Sequence, residues 1–184
     1  MDIRPLTPDR WDELEKLFGP RGVTGNCWCM YPRLRAKDYE IGRKSGGNRE
    51  AFRGVVEKGP PPGLLAYEGE QPVGWIAFGP RPTYLRLQNS RVAAPVDDMP
   101  VWSVVCFVTA RSHRGQGVAA ALLEAAVHYA RQQGVHAIEG YPIEPDGKMA
   151  DIYAWWGLVS MFRKCGFEEV ARRSPRRPVM RLAL

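Results

Sequence analysis

The stretch 113-HRGQGVAAALLEAAVHYARQQG-134 places two glycines, Gly115 and Gly117, directly before a run of helix-forming residues. The first turn of a helix carries backbone N–H groups with no partner inside the helix, and glycines leave these groups uncovered by side chains. Together with the helix dipole, such groups form a site for an anion. The stretch therefore predicts a phosphate-binding loop at the start of an amphipathic helix that ends at Gly134. The rest of the sequence has to decide which phosphate-containing ligand the loop meets.

Length and charge are those of an ordinary globular protein. The 184 residues fit a single domain spanning 1–184. Neither the charged opening 1-MDIRPLTPDRW-11 nor any later segment resembles a signal peptide or a membrane helix, so we expect a soluble, cytoplasmic protein without membrane contact. The formal net charge is +6, but the basic residues are spread along the chain apart from 172-RRSPRR-177. We interpret that cluster as a solvated turn, which favours a small polyanionic ligand over nucleic acid.

The four cysteines follow no metal-binding or disulfide pattern. Cys27 and Cys29 are too close in sequence to bridge each other comfortably. Cys106 lies in a strand-like apolar run, Cys165 lies near the far end, and the three histidines have no ligand spacing. We therefore expect reduced thiols and no metal site.

Strands and helices are expected on both sides of the quoted stretch. The run 101–108 is apolar on both faces and predicts a central strand, and 135–141 predicts a second strand parallel to it. The other predicted elements are an edge strand at 1–6, a helix that Thr7 caps and Gly19 ends, a helix at 49–58 capped by Asn48, a hairpin of strands 64–68 and 73–79, a helix around 151–165, and one or two strands within 167–184. This order predicts an α/β fold with a mixed sheet.

Two common phosphate-binding loops fit the quoted stretch less well. A P-loop needs a lysine and a hydroxyl residue after its glycines, and neither is present. The Rossmann fingerprint is closer, because a strand, glycines, a helix, a second strand and an acid at Glu139 follow in the right order. However, six residues separate Val108 from Gly115, and Ala120 stands in place of the third glycine. A nucleoside triphosphate is poorly supported, and a dinucleotide stays as a weaker alternative.

The segment 114-RGQGVA-119 matches the pattern [RQ]-x-x-G-x-[GA] between a strand and a long helix. It resembles the pyrophosphate-binding motif of the GNAT superfamily of acyl-CoA-dependent N-acyltransferases. The order of elements over most of the chain also resembles that family, and 162-FRKCGF-167 is similar to its closing Y-x-x-x-G-F with Phe162 in the tyrosine position. The resemblance implies a central, mostly antiparallel sheet that is flanked by helices and contains one splayed parallel pair of strands. The competing interpretation is a glycine turn that only caps a core helix.

The resemblance implies acetyl-CoA as the acyl donor, without a metal. The main chain of the loop would bind the pyrophosphate, and the pantetheine arm would lie along the central strand like an added strand. The cofactor-binding residues expected on this basis are Cys106, Phe107, Val108, Arg114, Gly115, Gln116, Gly117, Val118, Ala119 and Ala120.

Acyl transfer to an amine needs a group that removes a proton from the amine. Glu139 is the first candidate because it lies on the strand that should splay from the central one. Glu144 and Asp146 follow it closely in sequence and are further candidates. An ion-paired structural carboxylate is an equal alternative for Glu139. Family members often protonate the leaving thiolate with the tyrosine that Phe162 replaces here. Tyr141, Tyr153 or water could substitute for it.

The loop 26-NCWCMYPR-33 falls where the family forms the acceptor side of the cleft. We expect Trp28, Cys29 and Tyr31 to contact the substrate, and Trp155 and Trp156 could face them, although aromatic side chains also fill cores. A cysteine nucleophile in this loop is not favoured, since no histidine lies nearby in sequence.

The sequence thus predicts an N-acetyltransferase that transfers an acetyl group directly to a primary amine. A non-catalytic acyl-CoA-binding regulatory or sensor domain is the alternative, because the usual tyrosine is missing. The sequence leaves open the acceptor amine and whether the protein forms a homodimer.

Overall fold

The computed structural model describes residues 1–147 and 151–184, except for the side chains of 151–153. Within these residues the strands form one seven-stranded sheet in the order β1-β2-β3-β4-β5-β7-β6. Every neighbouring pair is antiparallel except β4 and β5, which are parallel. The strands are β1 Asp2–Pro5, β2 Gly63–Glu68, β3 Gln71–Pro80, β4 Trp102–Thr109, β5 Ala137–Gly140, β6 Glu168–Arg172 and β7 Pro178–Ala183. The predicted edge strand, hairpin, central strand and parallel pair are confirmed.

Helices cover both faces of the sheet. On one face, three N-terminal helices pack an aromatic core that includes Trp11, Trp28, Phe52 and Trp75. On the other face, the long helix α5 and the short helix α6 pack on a second core that includes Leu122, a residue of α5. The helices are α1 Trp11–Phe18, α2 Ala36–Ser45, α3 Gly47–Lys58, α4 Leu85–Gln88, α5 Val118–Gln132 and α6 Val159–Lys164.

Strand β4 pairs with its two neighbours over different lengths. It pairs with β3 from Trp102 to Thr109, whereas the described register with β5 ends at Val104, opposite Gly140. A bulge at Val105 interrupts the ladder with β3, because Ala77 pairs with Cys106 and Phe78 pairs with Val104. The second half of β4 is therefore not paired with β5, and residues 106–109 border a gap there.

Phe162 fills the base of that gap. Its ring is fully buried and packs edge-on against Phe107 of β4, with ring centroids 6.1 Å apart. Two glycines allow this packing, since a Cβ atom at Gly140 would lie 2.1 Å from the ring, and one at Gly157 would lie 2.8 Å from it. The residue that stands where the resemblance implies a tyrosine is thus a core residue at the ends of the two parallel strands.

Three details of the helices differ from the sequence-based predictions. The hydroxyl of Thr7 accepts a hydrogen bond from Arg10 at 2.6 Å and caps no helix N–H, so the predicted Thr7 cap is wrong. The predicted Asn48 cap is also wrong, because α3 begins at Gly47, and the buried Asn48 amide donates to carbonyl groups of Asn26 and Tyr39. The helix expected around 151–165 is a 3-10 segment, Asp151–Trp156, followed after Gly157 by α6.

The packing of Phe162 predicts that Gly140→Ala destabilises the fold. The added methyl group must displace the ring or β5, and overpacking of this kind costs about 1–3 kcal/mol. Gly54→Ala is the matched control, because a Cβ atom there meets nothing within 4 Å in the middle of α3. The control should gain about 0.5–1 kcal/mol through helix propensity. Urea unfolding of both variants measures the difference, and an unchanged stability of Gly140→Ala would mean that Phe162 does not hold this position.

Candidate active site

A cleft of about 840 Å³ opens at the gap beside β4. Four segments line it. They are the turn and first residues of α5 (113–115 and 117–120), the second half of β4 (106–109), the loop after α1 together with Tyr39 of α2, and residues 154–164 around α6. The volume lies within the range of pockets that bind small organic ligands. The cleft therefore joins the predicted phosphate loop to the predicted acceptor loop.

The glycines at the α5 end of the cleft leave space for an anion. Gly115 has φ +74° and Gly117 has φ +83°, a left-handed conformation that other residues rarely adopt. A Cβ atom at either position would meet nothing within 4 Å, so the main chain is open on the cleft side. The N–H groups of the first turn, from Val118 onward, have no acceptor within the helix. The open main chain and these N–H groups fit a pyrophosphate.

Most of the predicted cofactor-binding residues are brought together here. The cleft-lining members of that set are Cys106, Phe107, Val108, Arg114, Gly115, Gly117, Val118, Ala119 and Ala120. Gln116 is not among the lining residues, because its exposed side chain turns back and donates to the carbonyl of Ser112 at 2.8 Å. Lys164, which the sequence did not indicate, adds a positive charge to the lining.

The acceptor side of the cleft is built from a strained loop. Four non-glycine residues between positions 23 and 29 have positive φ angles: Val23, Asn26, Trp28 and Cys29. Val23, at φ +71° and ψ −63°, has the least favourable backbone conformation of the four, because it is β-branched. Its side chain is 47% exposed and lines the cleft. Each such residue costs about 1–3 kcal/mol, and conformations of this kind cluster at functional sites.

Trp28 anchors this loop in the core and does not line the cleft. Its ring stacks on Trp11 at 6.0 Å, and it lies so close to Gly22 that a Cβ atom there would be 2.5 Å away. By contrast, Cys29 and Tyr31 do line the cleft, as the sequence predicted. Tyr31 packs edge-on against both Tyr39 and Trp155, so the acceptor end has an aromatic wall.

Comparison with known proteins agrees with this geometry. The model of the GNAT acetyltransferase family matches residues 28–167. The chain belongs to this family. No curated protein sequence gives a significant match. Similar solved structures are an N-acetyltransferase, PaiA, from Thermoplasma acidophilum in complex with coenzyme A (11% identity, 100% of this chain and 98% of the other, TM-score 0.58) and the GNAT domain of PAT from S. lividans (19%, 99% and 89%, 0.54). At these identities the two structures support the fold alone.

The GNAT fold does not bring the predicted catalytic carboxylate to the cleft. Glu139 is 1% exposed, and its Oε1 atom accepts hydrogen bonds from Arg181 at 2.7 and 2.9 Å. The other oxygen, Oε2, accepts a hydrogen bond from the Tyr141 hydroxyl at 3.2 Å. Neither Glu139 nor Tyr141 is among the described cleft-lining residues. The arrangement is that of a buried structural ion pair, the alternative that the sequence could not separate from a catalytic base.

Tyr141 belongs to the same buried network. Its hydroxyl accepts a hydrogen bond from Arg81 at 2.5 Å and lies 2.8 Å from the hydroxyl of Ser103. Burial, with the negative charge of Glu139, raises the pKa of Tyr141 far above its usual value. Arg81 also donates to the carbonyls of Leu87 and Ala93. The network therefore connects the segment between β3 and β4 to the residue that follows β5.

The other candidates for proton transfer lie elsewhere. Glu144 is ion-paired with Arg172 at 2.7 Å, and Asp146 is exposed. Neither lines the cleft, and no carboxylate is found among its described lining residues. The side chain of Tyr153 lies outside the described residues. The same part of the chain contains no group of His, Cys, Asp or Glu side chains that could hold a metal ion, and none of its helices is long and apolar enough to cross a membrane.

Several residues that line the cleft were not predicted from the sequence. Tyr39 lies on α2, a helix that was not predicted because only one of its ten residues is buried. Val23, Thr24 and Ser160 carry no motif. Three thiols line the cleft: those of Cys27 and Cys29, which are two residues apart, and that of Cys106, which is distant in sequence.

The buried position of Glu139 predicts that Glu139→Gln weakens folding rather than catalysis. A neutral amide leaves Arg181 without part of its charge partner, and an imperfectly satisfied buried group costs about 1–3 kcal/mol. Asp97→Asn is the control, because it removes the exposed half of the same Arg181 pair and should cost less. Urea unfolding gives the stabilities and calorimetry gives the acetyl-CoA affinity. We expect an unchanged affinity for Glu139→Gln, and loss of turnover in a fully folded Glu139→Gln protein would restore the catalytic interpretation.

Proposed function

We propose that the protein is an N-acetyltransferase that takes an acetyl group from acetyl-CoA and transfers it to a primary amine. Family membership supports acetyl transfer in general. The observation that carries the finer proposal is the cleft, which joins an open anion-binding helix start to the free edge of β4 and then to an aromatic acceptor end. A ligand with a pyrophosphate, a peptide-like arm and a terminal acyl group matches these three parts in that order.

Each part of the cleft is assigned a role. The main-chain N–H groups from Gly115 to Ala120 bind the pyrophosphate, and the dipole of α5 favours its charge. The main chain of Cys106 to Val108 pairs with the pantetheine arm, because this edge of β4 is not occupied by β5. A backbone N–H near Phe107 polarises the thioester carbonyl. Arg114 and Lys164 add positive charge near the phosphates.

The acceptor is proposed to enter between the strained loop and the aromatic wall. Cys29, Tyr31 and Trp155 line this end, and Val23 lies at its rim. An amine attached to an apolar or aromatic group fits these surroundings better than a highly charged one. The whole chain acts as one domain in this proposal, and the four free thiols agree with a cytoplasmic location.

A non-catalytic acyl-CoA-binding domain remains the second candidate. The observation that favours it is the absence of a carboxylate from the described lining, together with the buried Phe162 in the usual tyrosine position. Binding of acetyl-CoA without any acyl transfer to a panel of amines would support it.

The phosphate loop gives the test of cofactor binding. Gly117→Glu places a carboxylate where the pyrophosphate should lie, and we expect acetyl-CoA binding to be lost in calorimetry while the fold survives. Gly134→Glu is the matched control. Gly134 lies just beyond the other end of α5, has φ +70°, and has nothing within 4 Å of a Cβ atom. Both variants bear a similar left-handed strain of about 1–2 kcal/mol.

Only the variant at Gly117 should lose affinity. Equal affinity in the two variants would show that the turn is a helix cap and nothing more. Titration with NAD should give no heat of binding in any of the proteins, and NAD binding in place of acetyl-CoA would return the loop to the dinucleotide interpretation.

A further inference from the structure

Two arginines beside the acceptor end of the cleft lack the partners that comparable arginines have. Within the described residues, Arg86 and Arg177 are half-buried and form no side-chain hydrogen bond or ion pair, and the Nε–H of each is buried without an acceptor. Glu40 is near enough to Arg86 for their charges to interact, but it is already paired with Arg43 at 2.8 Å. The other arginines that are not exposed all donate through their side chains: Arg10, Arg33, Arg43, Arg49, Arg81 and Arg181.

Both arginines lie against the aromatic residues of the acceptor end. The Cζ atom of Arg86 lies over the ring of Tyr31, 4.0 Å from its centroid, and that of Arg177 lies over the ring of Trp156 at 4.7 Å. Tyr31 lines the cleft, and so does Trp155, whose ring centroid is 4.3 Å from that of Trp156. Neither arginine is itself a lining residue. The two guanidinium groups therefore border the aromatic wall from its outer side.

Main-chain hydrogen bonds hold the two positions. The N–H of Arg86 donates to the carbonyl of Pro32 at 3.2 Å, and Pro32 lines the cleft next to Tyr31. The N–H of Arg177 donates to the carbonyl of Ser174 at 3.2 Å, immediately before β7 begins. Both side chains therefore start from backbone that the fold fixes beside the acceptor end.

A guanidinium group that is stacked on an aromatic ring is suited to bind a carboxylate. The ring covers one face of the group, and the N–H donors at its edge form a planar fork that matches the two carboxylate oxygens. A half-buried cation without a counter-charge is also costly. Accordingly, burial lowers the pKa of the Arg177 guanidinium. A bound carboxylate would offset this cost.

We propose that the acceptor is a small molecule with a carboxylate as well as a primary amine, and that Arg86 and Arg177 bind the carboxylate. This inference rests on the proposed function and narrows its acceptor. The amine enters the cleft, and the apolar body lies along Tyr31 and Trp155. Because the arginines lie behind these rings, the amine and the carboxylate belong at opposite ends of that body. No carboxylate among the described lining residues would repel such a molecule.

Matched pairs of amines test the proposal. The amines para-aminomethylbenzoate and benzylamine differ only in a carboxylate at the far end of the ring. Phenylalanine and phenethylamine differ in a carboxylate beside the amine. Mass spectrometry follows acetylation of each, and calorimetry measures its binding to the protein saturated with coenzyme A. We expect para-aminomethylbenzoate to be preferred over benzylamine by about 10-fold or more, as is typical of a charge-assisted hydrogen bond, and phenylalanine to gain little.

Variants assign the preference to the two arginines. Arg86→Gln and Arg177→Gln should each raise the KM of para-aminomethylbenzoate about 10-fold and weaken its binding equally. The kcat, the use of benzylamine and the acetyl-CoA affinity should stay unchanged, which a general loss of structure would not allow. Arg91→Gln is the matched control, because it removes the same charge from an exposed side chain five residues beyond Arg86. It should behave like the unmodified protein.

The outcomes separate this inference from the proposed function. Equal use or equal binding of para-aminomethylbenzoate and benzylamine would overturn the inference and leave acetyl transfer standing. The same holds if para-aminomethylbenzoate fails to bind the protein saturated with coenzyme A, or if its preference survives in both arginine variants. Failure of the unmodified protein to bind acetyl-CoA would instead overturn the proposed function.

Discussion

The separation of two parallel strands is the constraint on which this structure depends. β4 and β5 share the register from Trp102 to Val104, and after that point no strand among the described residues pairs with β4 on that side. Unpaired peptide groups inside a sheet are costly unless another chain or a ligand satisfies them. The fold keeps this gap open with Phe162, whose ring occupies the place where side chains at Gly140 and Gly157 would lie. In the proposed function, a ligand with amide groups of its own completes the sheet.

The two ends of the gap are fixed by opposite physical means. At the α5 end, Gly115 and Gly117 adopt positive φ angles at little cost, and the loop needs no support from packing. At the acceptor end, Val23, Trp28 and Cys29 adopt such angles at a cost, and the aromatic core around Trp11 and Trp28 holds them there. The strained backbone places the side chains of Cys29 and Tyr31 at the cleft. Glycines at these positions would provide no side chains to line it.

Local patterns predicted the parts of this molecule that local physics determines. The glycine turn, α5 and the two apolar strands follow from periodicity and from the needs of a helix start, so the fold and the open turn before α5 were predictable. The helix α2 was not, because its contact with the core depends on the single buried residue Tyr39. Long-range pairing was also beyond local reasoning. Glu139 resembles a catalytic base in sequence, and its partner Arg181 lies 42 residues away. Likewise, Trp75 lies 46 residues from the Cys29 thiol to which it donates.

The most direct measurement is a crystal structure of the protein with coenzyme A. The account predicts the pyrophosphate within hydrogen-bonding distance of the N–H groups between Gly115 and Ala120, and the pantetheine arm paired with the main chain of β4 from Cys106 to Val108. Its thiol should point toward the acceptor end of the cleft, which Tyr31 lines. A ligand bound on another surface, or a β5 that closes against the second half of β4, would contradict the account.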